Sequence, residues 1–123
     1  MSALQTAPVT DRAGETDAWE GTFSFTGEEV YFGDHFPGFP VVPGVLLFEA
    51  MRRTSLEGFR LRGKNLRLAR VSHLRFVRPC VPPAEVTAVV RIDSDDPLAT
   101  RCEVKNGNDQ KVATARLYFE EVA

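Results

Sequence analysis

Asp34-His35-Phe36-Pro37-Gly38-Phe39-Pro40-Val41-Val42-Pro43-Gly44-Val45-Leu46-Leu47-Phe48-Glu49-Ala50 decides how the rest of this chain is read. Proline fixes φ and removes a backbone donor, so Pro37, Pro40 and Pro43 exclude a helix or an inner strand across 36–43. The residue before each proline is pushed to extended geometry. The segment therefore reads as a stiff, mostly extended loop, with Gly38 and Gly44 where the chain needs φ > 0 or a close approach by a ligand. After Gly44 the punctuation stops, and Val45 to Arg53 reads as a helix that fades near Gly58 or just beyond. Its first turn, Val45-Leu46-Leu47-Phe48, is apolar on every side and is expected to be buried all round. Glu49 follows directly inside that stretch. A buried, unpaired carboxylate is costly or titrates at raised pH, so a chain that keeps one there has a partner or a use for it. Taken singly, a histidine near prolines is an ordinary hydrogen-bonding group and a helical glutamate is an ordinary solvated one. Joined by this loop, His35 and Glu49 place a base and an acid on one rigid frame, which proton transfer requires.

Around this core segment the chain alternates. Trp19, Phe23 and Phe25 interleave with Glu20, Thr22, Ser24 and Thr26, so 18–26 reads as a half-buried strand. Residues 1–16 read as a weakly ordered segment or a short first strand near Leu4–Val9, ahead of one domain over 17–123. Gly63-Lys64-Asn65 breaks the helix, and 66–78 reads as a strand interrupted by a bulge near Ser72-His73. Pro79 to Pro83 is an extended corner, and Glu85–Ile92, Ala99–Lys105 and Lys111–Glu120 are three further strands. Asn106-Gly107-Asn108-Asp109 is a hairpin turn between the last two. One early helix followed by consecutive antiparallel strands is an α+β pattern.

The 123 residues and 43% hydrophobic content suit a single domain with its own core. No run approaches a membrane span, and no basic-then-apolar signal opens the chain. Cys80 and Cys102 lack CxxC spacing and read as free thiols in a reducing cytoplasm, and two histidines without a cysteine cluster give no metal site. Net charge is only −2, yet residues 52–78 hold nine arginines and lysines against one acid, Glu57. Such a band suits an acidic partner. Nucleic acid is not indicated, because no recognition motif is present and no aromatics interleave with the arginines.

The opening string resembles the active-site segment of the hot-dog-fold (3R)-hydroxyacyl-acyl-carrier-protein dehydratases, whose pattern runs Gly-His-Phe-Pro-Gly-x-Pro-Val-x-Pro-Gly-Val-x-x-x-Glu-Ala. His35, Phe36, Pro37, Gly38, Pro40, Val41, Pro43, Gly44, Val45, Glu49 and Ala50 match it. Arg75-Phe76-Val77-Arg78-Pro79-Cys80-Val81-Pro82 is a weaker echo of the family's Arg-Phe-x-Arg-Pro-Val-x-Pro strand. The likeness spans roughly residues 22–92. It implies a hot-dog fold, a curved antiparallel sheet wrapped around one central helix. It also implies loss of water from a hydroxyacyl thioester to give the enoyl thioester, without a cofactor, the substrate riding on the phosphopantetheine of a carrier protein. By this resemblance His35 is the catalytic histidine and Glu49 the acid, facing the histidine of the other protomer. The backbone N–H of Gly44 is the donor to the thioester carbonyl, and the Val41 carbonyl orients the imidazole. Acidic acyl carrier protein becomes the expected partner of the basic band, with Arg75 and Arg78 in the motif strand as docking residues. A homodimer or higher oligomer, or a heterodimer with a second hot-dog chain, is implied, with no membrane or nucleic acid.

The chain departs from the pattern at several points. Asp34 replaces a glycine beside His35, where its charge either acts on the imidazole or points into solvent. Arg53 replaces a glutamine four residues after Glu49, on the same helix face; contact between the two would favour the carboxylate over the acid. These changes suggest a divergent member serving a polyketide- or polyene-type pathway. Two rivals stand beside the dehydratase: a hot-dog thioesterase or acyl-transfer protein, and a non-catalytic subunit of a heteromeric dehydratase.

Overall fold

The computed structural model describes residues 4–5, 7–26 and 41–122. Asp34, His35 and most of the proline loop lie outside them. Two short strands, β1 (Leu4–Gln5) and β2 (Thr10–Asp11), both pair antiparallel with β3 (Ala18–Phe25). Helix α1 (Gly44–Leu61) precedes four longer strands, β4 (Leu66–Phe76), β5 (Ala84–Ile92), β6 (Ala99–Lys105) and β7 (Lys111–Glu121). The sheet runs β1-β3-β5-β6-β7-β4, antiparallel throughout, with β2 also on β3.

Alternation explains which side of the sheet meets the helix. On β7 Ala113, Ala115, Leu117 and Phe119 are buried in the core, and Thr114, Arg116 and Tyr118 face the other way. Helix α1 touches β3, β5, β6, β7 and β4, five neighbouring strands. Strands spaced about 4.8 Å apart make such a sheet wider than a helix of about 10 Å diameter, so the sheet must curl around α1. This is the hot-dog fold.

Trp19 and Phe59 form an edge-to-face pair at 5.4 Å, and Phe59 continues to Phe119 at 5.7 Å. The Trp19 indole N–H donates to the Thr54 carbonyl at 2.6 Å. The helix runs past Gly58, because that glycine is where α1 crosses Trp19: a Cβ built there would stand 2.0 Å from the indole. The helix ends at a left-handed Gly63 (φ 79°), with Lys64 N–H donating to Phe59 O and Gly63 N–H to Arg60 O, a Schellman arrangement. The expected bulge in β4 is present, with register breaks between Leu68 and Arg70 and between Ser72 and Arg75, and His73 at φ 55°. The Asn106–Asp109 turn is tied by the Asn106 carboxamide, which accepts from Asn108 N–H and Gln110 N–H.

One expectation fails. The first helical turn is not buried all round: Leu46 and Leu47 are buried, but Val45 is exposed. The sheet covers only one side of α1, so an all-apolar turn leaves one apolar side uncovered. Leu74 and Phe76 of β4 and Val77 just after it are also exposed.

Candidate active site

The entry to α1 is fixed from below. Val42 is buried and its N–H donates to Cys80 O at 2.7 Å, which ties the end of the proline loop to the corner after β4. Pro43 stands at the N-cap, without a side-chain cap, and no acid lies in the first turn. The first N–H groups of a helix lack internal acceptors and carry its positive end. Among the described residues no side chain caps them and the first turn itself carries no carboxylate.

A largely apolar groove of about 520 Å³ opens at this point. Val41, Val42, Gly44 and Leu47 form one wall, and Phe76 to Cys80 the other. The Phe76 ring lies against Gly44 so closely that a Cβ there would be 2.7 Å from Cζ. Glycine is therefore required for close approach of backbone and ring. Val41 and Gly44, two residues singled out from the sequence, are brought together at this groove.

Glu49 lies in the same helix and its side chain is about a quarter exposed (26%). Its partner is Arg52, whose Nε donates at 3.3 Å and whose Nη2 completes the ion pair. Arg53, the residue picked from i, i+4 spacing, instead has its guanidinium 5.7 Å from the Phe23 ring centroid. Both spacings share one helix face, so sequence alone does not choose between them.

The two motif arginines part company. Arg78 lines the groove beside Gly44. Arg75 pairs across the ladder with Thr114 and lines a different pocket on the outer face of the sheet. The strand ends between them: β4 stops at Phe76, so Arg75 keeps the facing of its ladder position while Arg78 sits in the bend that follows. Phe76 is the groove residue that sequence reasoning passed over, although it stands inside the motif strand. Cys80 also lines the groove, buried and with its thiol pushed up by burial. Cys102 is pushed up to about 11 by burial, against hydrogen bonds from Ser55 and Thr100. Neither is poised as a nucleophile. Among the described residues no three histidine, cysteine or carboxylate side chains gather as a metal site, and no helix is long and apolar enough to cross a membrane.

Comparison with known proteins bears on this geometry. The chain is 41% identical over 61 residues to the 3-hydroxyacyl-acyl-carrier-protein dehydratase FabZ of Lawsonia intracellularis, covering 44% of this chain and 40% of that one. It is 37% identical over 76 residues to the FabZ of Pelotomaculum thermopropionicum, covering 58% and 54%. The chain thus spans about half the length of the curated relatives it matches. Among solved structures it is similar to one described as the dehydratase heterocomplex ApeI:P from Xenorhabdus doucetiae, with a TM-score of 0.73 at 13% identity over 97% of this chain and 98% of that one. At that identity the likeness is one of fold. A family model for ApeI-like proteins, described as ApeI dehydratase, matches residues 11–116. That match runs from β2 into β7 across every element that frames the groove, and the chain belongs to the ApeI-like dehydratase family.

Proposed function

We propose that this protein removes water from a (3R)-3-hydroxyacyl thioester carried on an acyl carrier protein, giving the trans-2-enoyl thioester. The observation that carries the reading is the groove at the start of α1, where Gly44 presents an uncapped helix end to an apolar channel and Glu49 follows in the same helix. Roles follow from the chemistry. A proton beside a thioester carbonyl is weakly acidic, so the developing enolate oxygen needs a donor aimed at it; the Gly44 N–H is that donor. His35, oriented by the Val41 carbonyl and flanked by Asp34, takes the proton. The Glu49 carboxyl gives a proton to the hydroxyl on the next carbon, which leaves as water as the carbon–carbon double bond forms. No metal or redox cofactor enters these steps.

The exposed apolar edge formed by Val45, Leu74, Phe76 and Val77 supports a site completed by a second hot-dog chain, identical or different. Arg78 at the groove is the docking charge nearest the substrate entrance; Arg75 adds positive potential from the other face. The setting we infer is cytoplasmic, within fatty-acid or polyketide- and polyene-type synthesis.

The test is intact-mass analysis of a carrier-bound (3R)-hydroxyacyl thioester incubated with wild type, His35→Ala and Glu49→Gln protein. Loss of one water with wild type alone is expected. Release of free acid would make the protein a thioesterase. Unchanged substrate across chain lengths, with or without a second hot-dog chain, would overturn the reading.

A further inference from the structure

The outer face of the sheet, turned away from α1, carries an arrangement outside the groove at Gly44. The ladder registers place Arg91 of β5 opposite Arg101 of β6, and Arg101 opposite Arg116 of β7. Three arginines thus stand in one row across three strands. Like charges directly opposite are destabilising in a sheet, so the row breaks a local rule that ordinary surfaces obey. The next position in the row is Ser72 of β4, opposite Arg116, and the bulge there brings His73 and Arg75 alongside.

Carboxylates answer this charge unevenly. Arg91 is met by Glu15 at 3.1 Å and Glu103 at 3.7 Å, and Arg101 by Asp93 at 2.8 Å. Towards β4 the acids thin out. Arg116 interacts with the Tyr118 hydroxyl, with Asp93 and Asp95 acting on it only through longer-range attraction. Arg70 lies over the Tyr118 ring at 3.9 Å, and among the described residues Arg75 has no ion pair. Ser72 donates to the Tyr118 hydroxyl at 3.4 Å and shares a 3.0 Å hydrogen bond with His73 Nδ1. The Tyr118 hydroxyl is held below its ordinary range, first by the Ser72 hydrogen bond and then by Arg116. At the centre is a cavity of about 290 Å³ lined by His73, Arg75, Arg101, Thr114 and Arg116, among others. His73 reaches it from a left-handed backbone conformation, which non-glycine residues adopt sparingly and which tends to mark functional positions.

We propose that this outer-face cavity is a binding site for a phosphate group, held by the guanidinium forks of Arg75, Arg101 and Arg116 with the His73 imidazole at its rim. Guanidinium groups match tetrahedral oxyanions with paired hydrogen bonds, and three of them line one shallow, open hollow. The site lies on the opposite face of the sheet from Gly44 and shares only Arg75 with the proposed carrier docking, so phosphate binding is read separately from dehydration.

The chain has two histidines, so its imidazole proton resonances report the site directly. Inorganic phosphate and glycerol phosphate would be titrated at constant ionic strength against chloride, with His73→Gln assigning the signals. A saturable shift of the His73 resonance is expected. A tighter fit for glycerol phosphate would mark an ester as the ligand, and a tighter fit for inorganic phosphate the free ion. Affinity should fall at least tenfold in Arg75→Gln and in Arg116→Gln, and stay unchanged in Arg60→Gln, each shown folded by its melting curve. Arg75 is on the exposed edge strand, so that variant remains informative if Arg116→Gln fails to fold. Dehydration blocked by His35→Ala should leave the titration intact. A linear shift equal to that from chloride, a response at His35 instead, or wild-type binding in both variants would overturn the proposal.

Discussion

Gly58 and Trp19 meet with no side chain between them: a Cβ on Gly58 would fall 2.0 Å from the indole Cε2, and Trp19 is fully buried. The ring has nowhere to go, since Phe59 holds one side and its N–H is bonded to Thr54 O. Gly58→Ala gains up to about 1 kcal/mol of helix propensity. Overpacking a closed core costs about 1–3 kcal/mol or more and should win. Denaturant midpoints should show net destabilisation, and a variant as stable as wild type would contradict the crossing described.

Gly44→Ala should behave in the opposite way. Its methyl would also collide, 2.7 Å from Phe76 Cζ, but Phe76 is 52% exposed and can swing aside. Stability should change by less than about 1 kcal/mol, because helix propensity offsets the shift. Dehydration should drop by about a hundredfold, the scale on which a misplaced reacting group costs rate. The decisive comparison is the melting curve beside the turnover number.

Arg52 and Arg53 should also separate. Arg52→Gln removes the cation paired with Glu49, a contact that favours the carboxylate over the acid, and is expected to raise kcat severalfold with little change in KM. Arg53→Gln, at the Phe23 ring, is expected to stay within about twofold. The reverse order in steady-state kinetics would return the pairing to Arg53.

Asp93 gives a pH signature. Its carboxyl is held below the ordinary value of 3.8, chiefly by the Arg101 hydrogen bond. A group lowered in the folded state stabilises fully above its unfolded value and loses that contribution as pH falls through the folded one. Wild type should therefore melt above Asp93→Asn at neutral pH, and the gap should close as the pH drops below about 4. A gap that holds constant to pH 2 would show that the pair does not supply it.

Much of this architecture was legible because local rules and tertiary packing agree. Period-two alternation from Trp19 to Phe25, the Asn106–Asp109 turn and the break in β4 are local signals, and the structure keeps all three. What was not legible depends on contacts made across the fold. Gly58 reads as a helix weakener in sequence but is a crossing point, because Trp19 comes from another strand. Arg52 pairs with Glu49 while Arg53 lies near the ring of Phe23, thirty residues back along the chain, a placement that helix spacing does not encode. Val45 was expected to be buried because an all-apolar turn says nothing about how far one sheet can reach around it. His35 and Asp34 lie outside the described residues, so half of the acid–base pair rests on the motif.

The strand order has a consequence for synthesis. β4 is made soon after α1, yet its ladder partner is β7, three strands later in the chain. β5 and β6, synthesised between them, pair with each other, and β5 also pairs with β3. While the chain emerges from the ribosome, β4 must therefore wait, with its unpaired backbone and the apolar end Leu74-Arg75-Phe76-Val77 open to other nascent chains. A chain stalled before Lys111 carries the helix, the groove residues and an edge with nothing to close it. Molecular chaperones should accordingly favour stalled chains ending between 77 and 110 over released ones.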